Sequence, residues 1–146
     1  MLKVLKPTTS TRRHTIVVRH KNVVGITDNI PARLLTSVKY SAGRTKGKVT
    51  TRHKGGRVKR QYRVIDFKRD KHDISGVVES IHYDPYRTAN IALVKYIDGE
   101  RRFVLATKNM KIGSEIISGK EAPIYEGNAM PLSRVPDGSF IHNVEI

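Results

Sequence analysis

The 146-residue sequence contains no cysteine and no apolar run long enough to cross a bilayer. The absence of cysteine excludes a disulfide scaffold, a cysteine-ligated zinc site, an iron–sulfur cluster and a thiol nucleophile. Since no run approaches the ~20 apolar residues of a membrane-spanning helix, no membrane partner is expected. The length suits one modest hydrophobic core, which is too little for a large multi-layer enzyme.

Acidic residues are scarce and unevenly placed. The chain has 13 Asp and Glu against 28 Lys and Arg, a net charge of +15, and a pI near 10.3. Residues 1–73 hold 20 Lys and Arg against 4 acids, a net of +16, whereas residues 74–146 hold 8 against 9, a net of −1. A basic first half is therefore joined to a nearly neutral second half. This asymmetry indicates a polyanionic partner, and nucleic acid is the commonest.

Residues 39–60 are the most polar part of the chain, and no acid lies between Asp28 and Asp66. Such a segment buries too little apolar surface to offset its ordering entropy. The sequence therefore predicts a basic arm over residues 1–60 that takes a defined path only on a polyanionic partner. The residues before Asp28 also resemble a mitochondrial presequence in composition, but Pro7 and the β-branched run at 15–18 favour a retained, strand-like arm.

From residue 61 the pattern becomes that of β-strands. Apolar runs predict strands over 61–67, 77–83, 91–97 and 103–105, with weaker strands at 114–117 and 122–125, and no segment has sustained helical periodicity. Asp98-Gly99 favours a two-residue type I′ hairpin. The pattern predicts an all-β fold, a small OB-like Greek-key barrel over residues 61–130 after the arm. Residues 140–146 alternate as a last strand, which either pairs back into the barrel or is completed by another polypeptide.

Several longer motifs follow one another in a fixed order. They are Gly43-Arg44, Val-Thr-Thr-Arg-His at 49–53, Gly55-Gly56, Tyr-Arg-Val-Ile-Asp-Phe-Lys-Arg at 62–69, Tyr83-Asp84-Pro85 with Arg87, residues 89–94, residues 98–102, and His-Asn-Val-Glu at 142–145. Over roughly residues 40–145 the chain resembles the universal large-subunit ribosomal protein two family. The resemblance implies a basic arm, an OB-like barrel, a second SH3-like barrel and a tail. It also implies a structural protein that binds large-subunit rRNA and supports subunit assembly and association.

The motifs match only the first half of that family. The resemblance therefore implies that residues 131–146 begin a truncated second barrel, the SH3-like one. It further implies that a separate chain carries the second half, alongside other ribosomal proteins as partners. Split genes of this kind are similar to those of organelle genomes, so a mitochondrial ribosome is expected, with a ribosome of the bacterial cytoplasm as the alternative. No cofactor and no small-molecule substrate are expected.

The basic run supplies the expected RNA contacts. Lys and Arg neutralise phosphates with release of counterions, and glycine permits close approach of the backbone to RNA. The predicted RNA-binding residues are Arg44, Lys46, Lys48, Arg52, His53, Lys54, Gly55, Gly56, Arg57, Lys59, Arg60, Arg63, Lys68, Arg69 and Arg87. Where the family usually has a third glycine followed by His, this chain has Arg57 and Val58, which favours a side-chain contact there over a backbone contact.

Two other functions fit parts of the sequence. An OB-fold translation factor or RNA chaperone would bind RNA transiently through the same features. Asp66, Asp70, His72 and Asp73 would suit the metal site of a nuclease, but the Lys and Arg among them favour a polar connection between strands. No histidine has a partner at a metal-ligand spacing, so zinc is not expected. Since phosphate-binding and nucleophile-elbow motifs are also lacking, we predict a protein that is not an enzyme.

Overall fold

The computed structural model describes residues 2–18, 30–56 and 58–145, and these residues form short β-strands. The strands are β1 (Leu2–Val4), β2 (Ile16–Val18), β3 (Leu35–Ser37), β4 (Arg44–Thr45), β5 (Lys48–Val49), β6 (Gln61–Arg63), β7 (Gly76–His82), β8 (Ile91–Tyr96), β9 (Arg101–Leu105) and β10 (Glu115–Ile116). Three single-turn 3-10 helices lie at Ser10–Arg12, Ala32–Leu34 and Leu132–Arg134, and no α-helix forms in the described ranges. None of these helices has the length and apolar character of a membrane span. The predicted all-β class is confirmed.

The core lies on both faces of a four-stranded antiparallel sheet with the order β10-β7-β8-β9. Successive β8 side chains point to opposite faces. Ile91 and Leu93 pack with Ile65 and Phe103 on one face. On the other face, residues 92, 94 and 96 pack with the buried side chains of β7, β9 and β10. Because both faces are covered, β8 reads as the nearly continuous apolar run from which a buried strand was predicted.

Part of the basic first half joins this body. β3 pairs antiparallel with β6, and Ile30 and Leu34 pack against the cluster around Phe103. The chain after β6 then bridges to β9, where the Asp66 amide donates to the Phe103 carbonyl at 2.8 Å. The resulting curled antiparallel sheet is consistent with the predicted OB-like barrel. The predicted domain limits at residues 60 and 130 stay a prediction.

Two local features differ from the sequence prediction. The predicted strand over 77–83 forms as β7, but a change of register between Val78 and Ser80 interrupts its alternation, so Val77 is 42% exposed and Val78 is 1% exposed. The type I′ turn at Asp98-Gly99 is also wrong, because only Gly99 has a positive φ, of 83°. The Gly99 amide donates to the Tyr96 carbonyl and the Tyr96 amide to the Glu100 carbonyl, both at 2.9 Å, which closes a three-residue loop that includes residue 97.

The predicted strands at 122–125 and over the described residues 140–145 do not form. Alternation of apolar residues makes a strand only where a second strand completes the ladder of hydrogen bonds. No strand in the described part of the chain pairs with residues 140–145. Phe140 is fully exposed, and Ile141 and Val144 are 50% and 55% exposed. The structure therefore gives the last predicted strand no partner within the described chain.

Candidate nucleic-acid interface

The basic segment over residues 40–55, which we call the basic loop, is built from two tight turns. The Arg44 amide donates to the Ser41 carbonyl at 3.0 Å, and the two residues between them have φ values of 49° and 71°. β4 and β5 then form a hairpin closed by Lys46 and Gly47, with φ values of 47° and 76°. Both turns have positive φ at their two central residues, which is the type I′ geometry that suits tight hairpins.

The Gly43 carbonyl holds the two ends of the hairpin together. It accepts hydrogen bonds from the Thr50 amide at 2.8 Å, the Thr50 hydroxyl at 2.9 Å and the Thr51 amide at 3.1 Å. A Cβ at position 43 would collide with the Thr51 carbonyl oxygen. Farther along, the Tyr40 hydroxyl donates to the Gly55 carbonyl at 3.0 Å. Glycine is therefore required at position 43 both by its φ and by close packing of the backbone.

The basic loop and the residues after it display their cations outward. The exposed members of the predicted RNA-binding set are Arg44, Lys46, Lys48, Arg52, His53, Lys54, Gly55, Gly56, Lys59, Arg60 and Lys68. Arg57 lies outside the described residues. Because no acid occurs between Asp28 and Asp66, none of the described positive side chains from 39 to 60 has a carboxylate close in sequence. A group of unneutralised cations on a loop held by backbone hydrogen bonds is suited to binding phosphates.

Arg63 and Arg69 are placed differently from the rest of the predicted set. Arg63 is 1% exposed, and its Nη1 donates to the Gln61 carbonyl at 2.7 Å. Arg69 donates from Nε to the Ser118 hydroxyl at 3.0 Å and from Nη2 to the Gly127 carbonyl at 3.1 Å. Burial lowers the pKa of the Arg69 guanidinium. Arg69 thus links the chain after β6 to residues 118 and 127, whereas the Arg63 contact with Gln61 is local in sequence, and an RNA contact by either residue stays a prediction.

Arg87 lies at a corner formed by β6 and the turn after β7. The carboxylate of the fully buried Asp84 accepts from the Arg87 Nε at 2.6 Å and from the Tyr86 amide at 2.9 Å. The Arg87 guanidinium lies 6.0 Å from the ring centre of Tyr62 and 5.8 Å from that of Phe67. Sequence reasoning singled out Arg87 but not the rings around it. The Asp84-Pro85 turn in the sequence could have indicated these rings, because it brings Tyr86 and Arg87 against Tyr62 of β6.

Two of the three acids considered for a nuclease site, Asp66 and Asp70, form ion pairs with one arginine. Arg102 Nη1 contacts Asp66 at 3.0 Å and also Asp70, while its Nε contacts Glu100 at 2.9 Å. Hydrogen bonds from Arg102 lower the pKa of Asp70 and of Glu100. His72 and Asp73 instead join residue 118 through the backbone. In the described ranges, no three His, Asp or Glu side chains cluster as metal ligands would.

The sequence of the chain matches the model of a known protein family. The sequence model described as "Ribosomal Proteins L2, RNA binding N-terminal domain" matches residues 31–118. The chain belongs to the ribosomal protein L2 family. The matched residues include β3, the basic loop and the four-stranded sheet, so the RNA-binding domain of the family comprises both the loop and the body to which it is joined.

Membership of the L2 family gives the chain a structural, RNA-binding role in the ribosome. The family consists of structural RNA-binding proteins rather than enzymes, which agrees with the ion pairs made by Asp66 and Asp70. The resemblance drawn from the sequence motifs is thereby confirmed for the N-terminal half. The basic loop lies within the matched residues and carries five Lys and Arg, at positions 44, 46, 48, 52 and 54, with no acidic residue.

Proposed function

We propose that the chain is a structural constituent of the large ribosomal subunit, which binds large-subunit rRNA through its basic arm and barrel and supports subunit assembly and association. The observation that carries the proposal is the exposed set of unneutralised cations on the basic loop. They are held in place by backbone turns rather than by carboxylates. Such a surface meets RNA phosphates without first breaking ion pairs of its own.

The proposed contact recognises RNA by shape and backbone rather than by sequence. Arg44 and Arg52 present planar guanidinium groups that fork onto phosphates, whereas Lys46 and Lys48 act as point charges. Gly55 and Gly56 have open space around their backbone, where RNA approaches without meeting a Cβ. Contacts of these kinds fix the position of a protein on folded RNA and carry little sequence information.

A salt titration tests this proposal. Binding of the chain to purified large-subunit rRNA is compared with that of a variant combining Arg44→Gln, Lys46→Gln, Lys48→Gln and Arg52→Gln. The slope of log affinity against log salt should fall by about 3 in the variant, since each lost phosphate contact removes roughly 0.7–0.9. A matched control replaces the exposed Lys95, Lys108, Lys111 and Lys120 of the body with Gln. A flat response of the unmodified chain, or an equal effect of the control, would contradict the proposal.

A transient RNA-binding factor would share these electrostatics but not the permanence of the complex. Sedimentation of ribosomal particles through high-salt sucrose gradients separates the two possibilities. A structural constituent stays with the large subunit, whereas an OB-fold factor or RNA chaperone is released. Incubation with Mg²⁺ and labelled RNA tests the nuclease alternative, and intact RNA is the expected result.

We also propose that a separate polypeptide, equivalent to the second half of the family, covers the apolar surface near residues 132–144. Leu132, Phe140, Ile141 and Val144 are all at least 50% exposed, and several large exposed apolar side chains within 13 residues of sequence favour a surface that a partner covers. A mass-spectrometric inventory of purified particles should contain such a chain. Co-fractionation of the tagged protein with mitochondrial ribosomes tests the organellar location expected from the resemblance.

A further inference from the structure

Two aromatic rings lie within 6.0 Å of the Arg87 guanidinium at the corner between β6 and the turn after β7, and a third ring packs on one of them. The rings of Tyr62 and Tyr86 meet edge to face, with centres 5.4 Å apart and planes at 76°. The ring centre of Phe67 lies 5.8 Å from the guanidinium, and the residue is 47% exposed. We call Tyr62, Phe67, Tyr86 and Arg87 the aromatic platform. None of its members belongs to the two core clusters of the sheet.

Arg87 is held rigidly within this platform by a buried acid. Asp84 is fully buried and accepts hydrogen bonds from both the Arg87 side chain and the Tyr86 backbone. The pairing offsets the positive charge of Arg87, which is therefore a weak neutraliser of phosphate. Its planar group remains beside two rings, where a flat aromatic ligand stacks favourably.

Cations that do face solvent flank the platform. Lys68 follows Phe67 directly and is exposed. Arg60 is also exposed, and its Nη1 donates to the Pro85 carbonyl at 3.2 Å, which places it beside the turn that carries Tyr86. Aromatic rings with basic side chains on both sides are the composition of surfaces that bind single-stranded nucleic acid, where bases stack and phosphates are neutralised alongside.

From these contacts we propose that the aromatic platform stacks an unpaired nucleobase of the bound RNA. The inference rests on the proposed rRNA-binding function and adds to it a second kind of contact. The basic loop contacts phosphates of any RNA, whereas the platform requires a base that is free of a pairing partner. Changes at the platform should therefore alter affinity for unpaired RNA without altering the salt dependence of binding.

The test compares Phe67→Leu with two matched variants. Phe140→Leu makes the same change at a fully exposed ring far along the chain from the platform, and Phe67→Tyr keeps the ring. One probe is an oligouridylate of about 16 nucleotides, whose bases stack little on one another, and the other is a perfectly paired RNA duplex of the same length. Phe67→Leu should weaken oligouridylate binding roughly 5- to 150-fold, the range expected for loss of one base–aromatic stack. Duplex binding and both salt slopes should not change.

The two matched variants should bind both probes as the unmodified chain does. An equal loss on both probes, no loss on either, or a change in salt slope would overturn the inference. If the unmodified chain bound neither RNA, the proposed function would fail together with the inference. Binding of both probes with a steep salt dependence, but no effect of Phe67→Leu, would overturn the stacking site alone.

Photocrosslinking provides a readout that does not depend on the folding of a variant. An oligouridylate carrying 5-iodouridine is bound to the unmodified chain and irradiated, and the crosslinked peptide is mapped by mass spectrometry. The crosslink should fall on Tyr62, Phe67 or Tyr86. Crosslinks confined to Tyr40 or to other aromatic residues outside the platform would contradict the proposed stacking site.

Discussion

The basic loop and the sheet of β7, β8 and β9 are both antiparallel, but they are stabilised by different interactions. In the sheet, Ile91, Leu93 and Phe103 have at most 1% exposure, and side chains cover both faces. In the basic loop, nearly every side chain is exposed, and the conformation depends on turns and on hydrogen bonds to one carbonyl, that of Gly43. The difference shows how the chain keeps its cations available. The loop is shaped by its backbone, and its charged side chains are exposed.

The largest expected effect is at the centre of the sheet. Phe103 is fully buried and meets the His82 ring edge to face, with centres 5.9 Å apart. Phe103→Ala should lower the free energy of unfolding by about 3–5 kcal/mol, because a large cavity replaces the ring. Urea unfolding followed by circular dichroism measures the loss. Phe140→Ala serves as the control and should change stability by no more than about 0.5 kcal/mol. Equal losses for the two variants would contradict the placement of the core.

The next largest effect is expected from a substitution that adds one methyl group to the sheet. A Cβ at Gly76 would lie 2.6 Å from Val94 Cγ1 and 3.0 Å from Tyr96 Cδ1. Gly76→Ala should therefore cost about 1–3 kcal/mol of stability through overpacking. Gly55→Ala is the matched control, because a Cβ at position 55 meets nothing within 4 Å. Denaturant midpoints of the two variants give the comparison, and a stable Gly76→Ala protein would show that β7 and β8 pack less closely than described.

The sheet was largely predictable from sequence, because buried positions in a strand are occupied by apolar residues in a simple pattern. The run from Ile91 to Tyr96 is apolar apart from the exposed Lys95, because both faces of β8 are covered, and its limits are close to those predicted. The bulge between Val78 and Ser80 was not predictable, because it depends on which residues the neighbouring strand places opposite. The prediction of a terminal strand over residues 140–146 was wrong for a related reason. Alternation of apolar residues suits a strand, but it does not show which strand would pair with it.

The candidate site was predictable as a composition but not as a geometry. Charge counting selected the exposed cations of the basic loop, and it equally selected Arg63 and Arg69, whose guanidinium groups donate to the Gln61 carbonyl and the Ser118 hydroxyl. The sequence shows that a residue is arginine, but it does not show whether its guanidinium donates to a carbonyl of the protein or to a phosphate of a partner. A type I′ turn was likewise expected at Asp98-Gly99 but not at Lys46-Gly47, where the structure has one. The turn type depends on the number of loop residues, which is set by the pairing of the strands on either side.

A methyl group added to the basic loop should have a local effect only. Gly43→Ala forces a side chain into a left-handed conformation and against the Thr51 carbonyl, with a conformational cost of roughly 1–2 kcal/mol. The amides of Thr50 and Thr51, which donate to Gly43, should exchange hydrogen faster in the variant. Amides of β8 should exchange at an unchanged rate, and the urea midpoint should not move. Faster exchange in β8 would show that the loop and the sheet unfold together.

The smallest effect is expected from a partly exposed ion pair between Glu79 of β7 and Arg101 of β9. Arg101 Nε lies 2.7 Å from Glu79, and this hydrogen bond lowers the pKa of the Glu79 carboxyl below its ordinary value of 4.5. Because the folded pKa is the lower one, the pair stabilises the protein above pH 4.5, and the contribution is lost as the pH falls through the folded pKa. Arg101→Gln should lower the urea midpoint slightly at neutral pH, because exposed ion pairs contribute little, and should not change it in acid, where Glu79 is protonated in both states. Urea midpoints of both proteins across this pH range measure the difference, with the exposed Lys111→Gln as the control. A difference that persisted at low pH would mean that Arg101 stabilises the sheet by packing along its stem rather than by its charge.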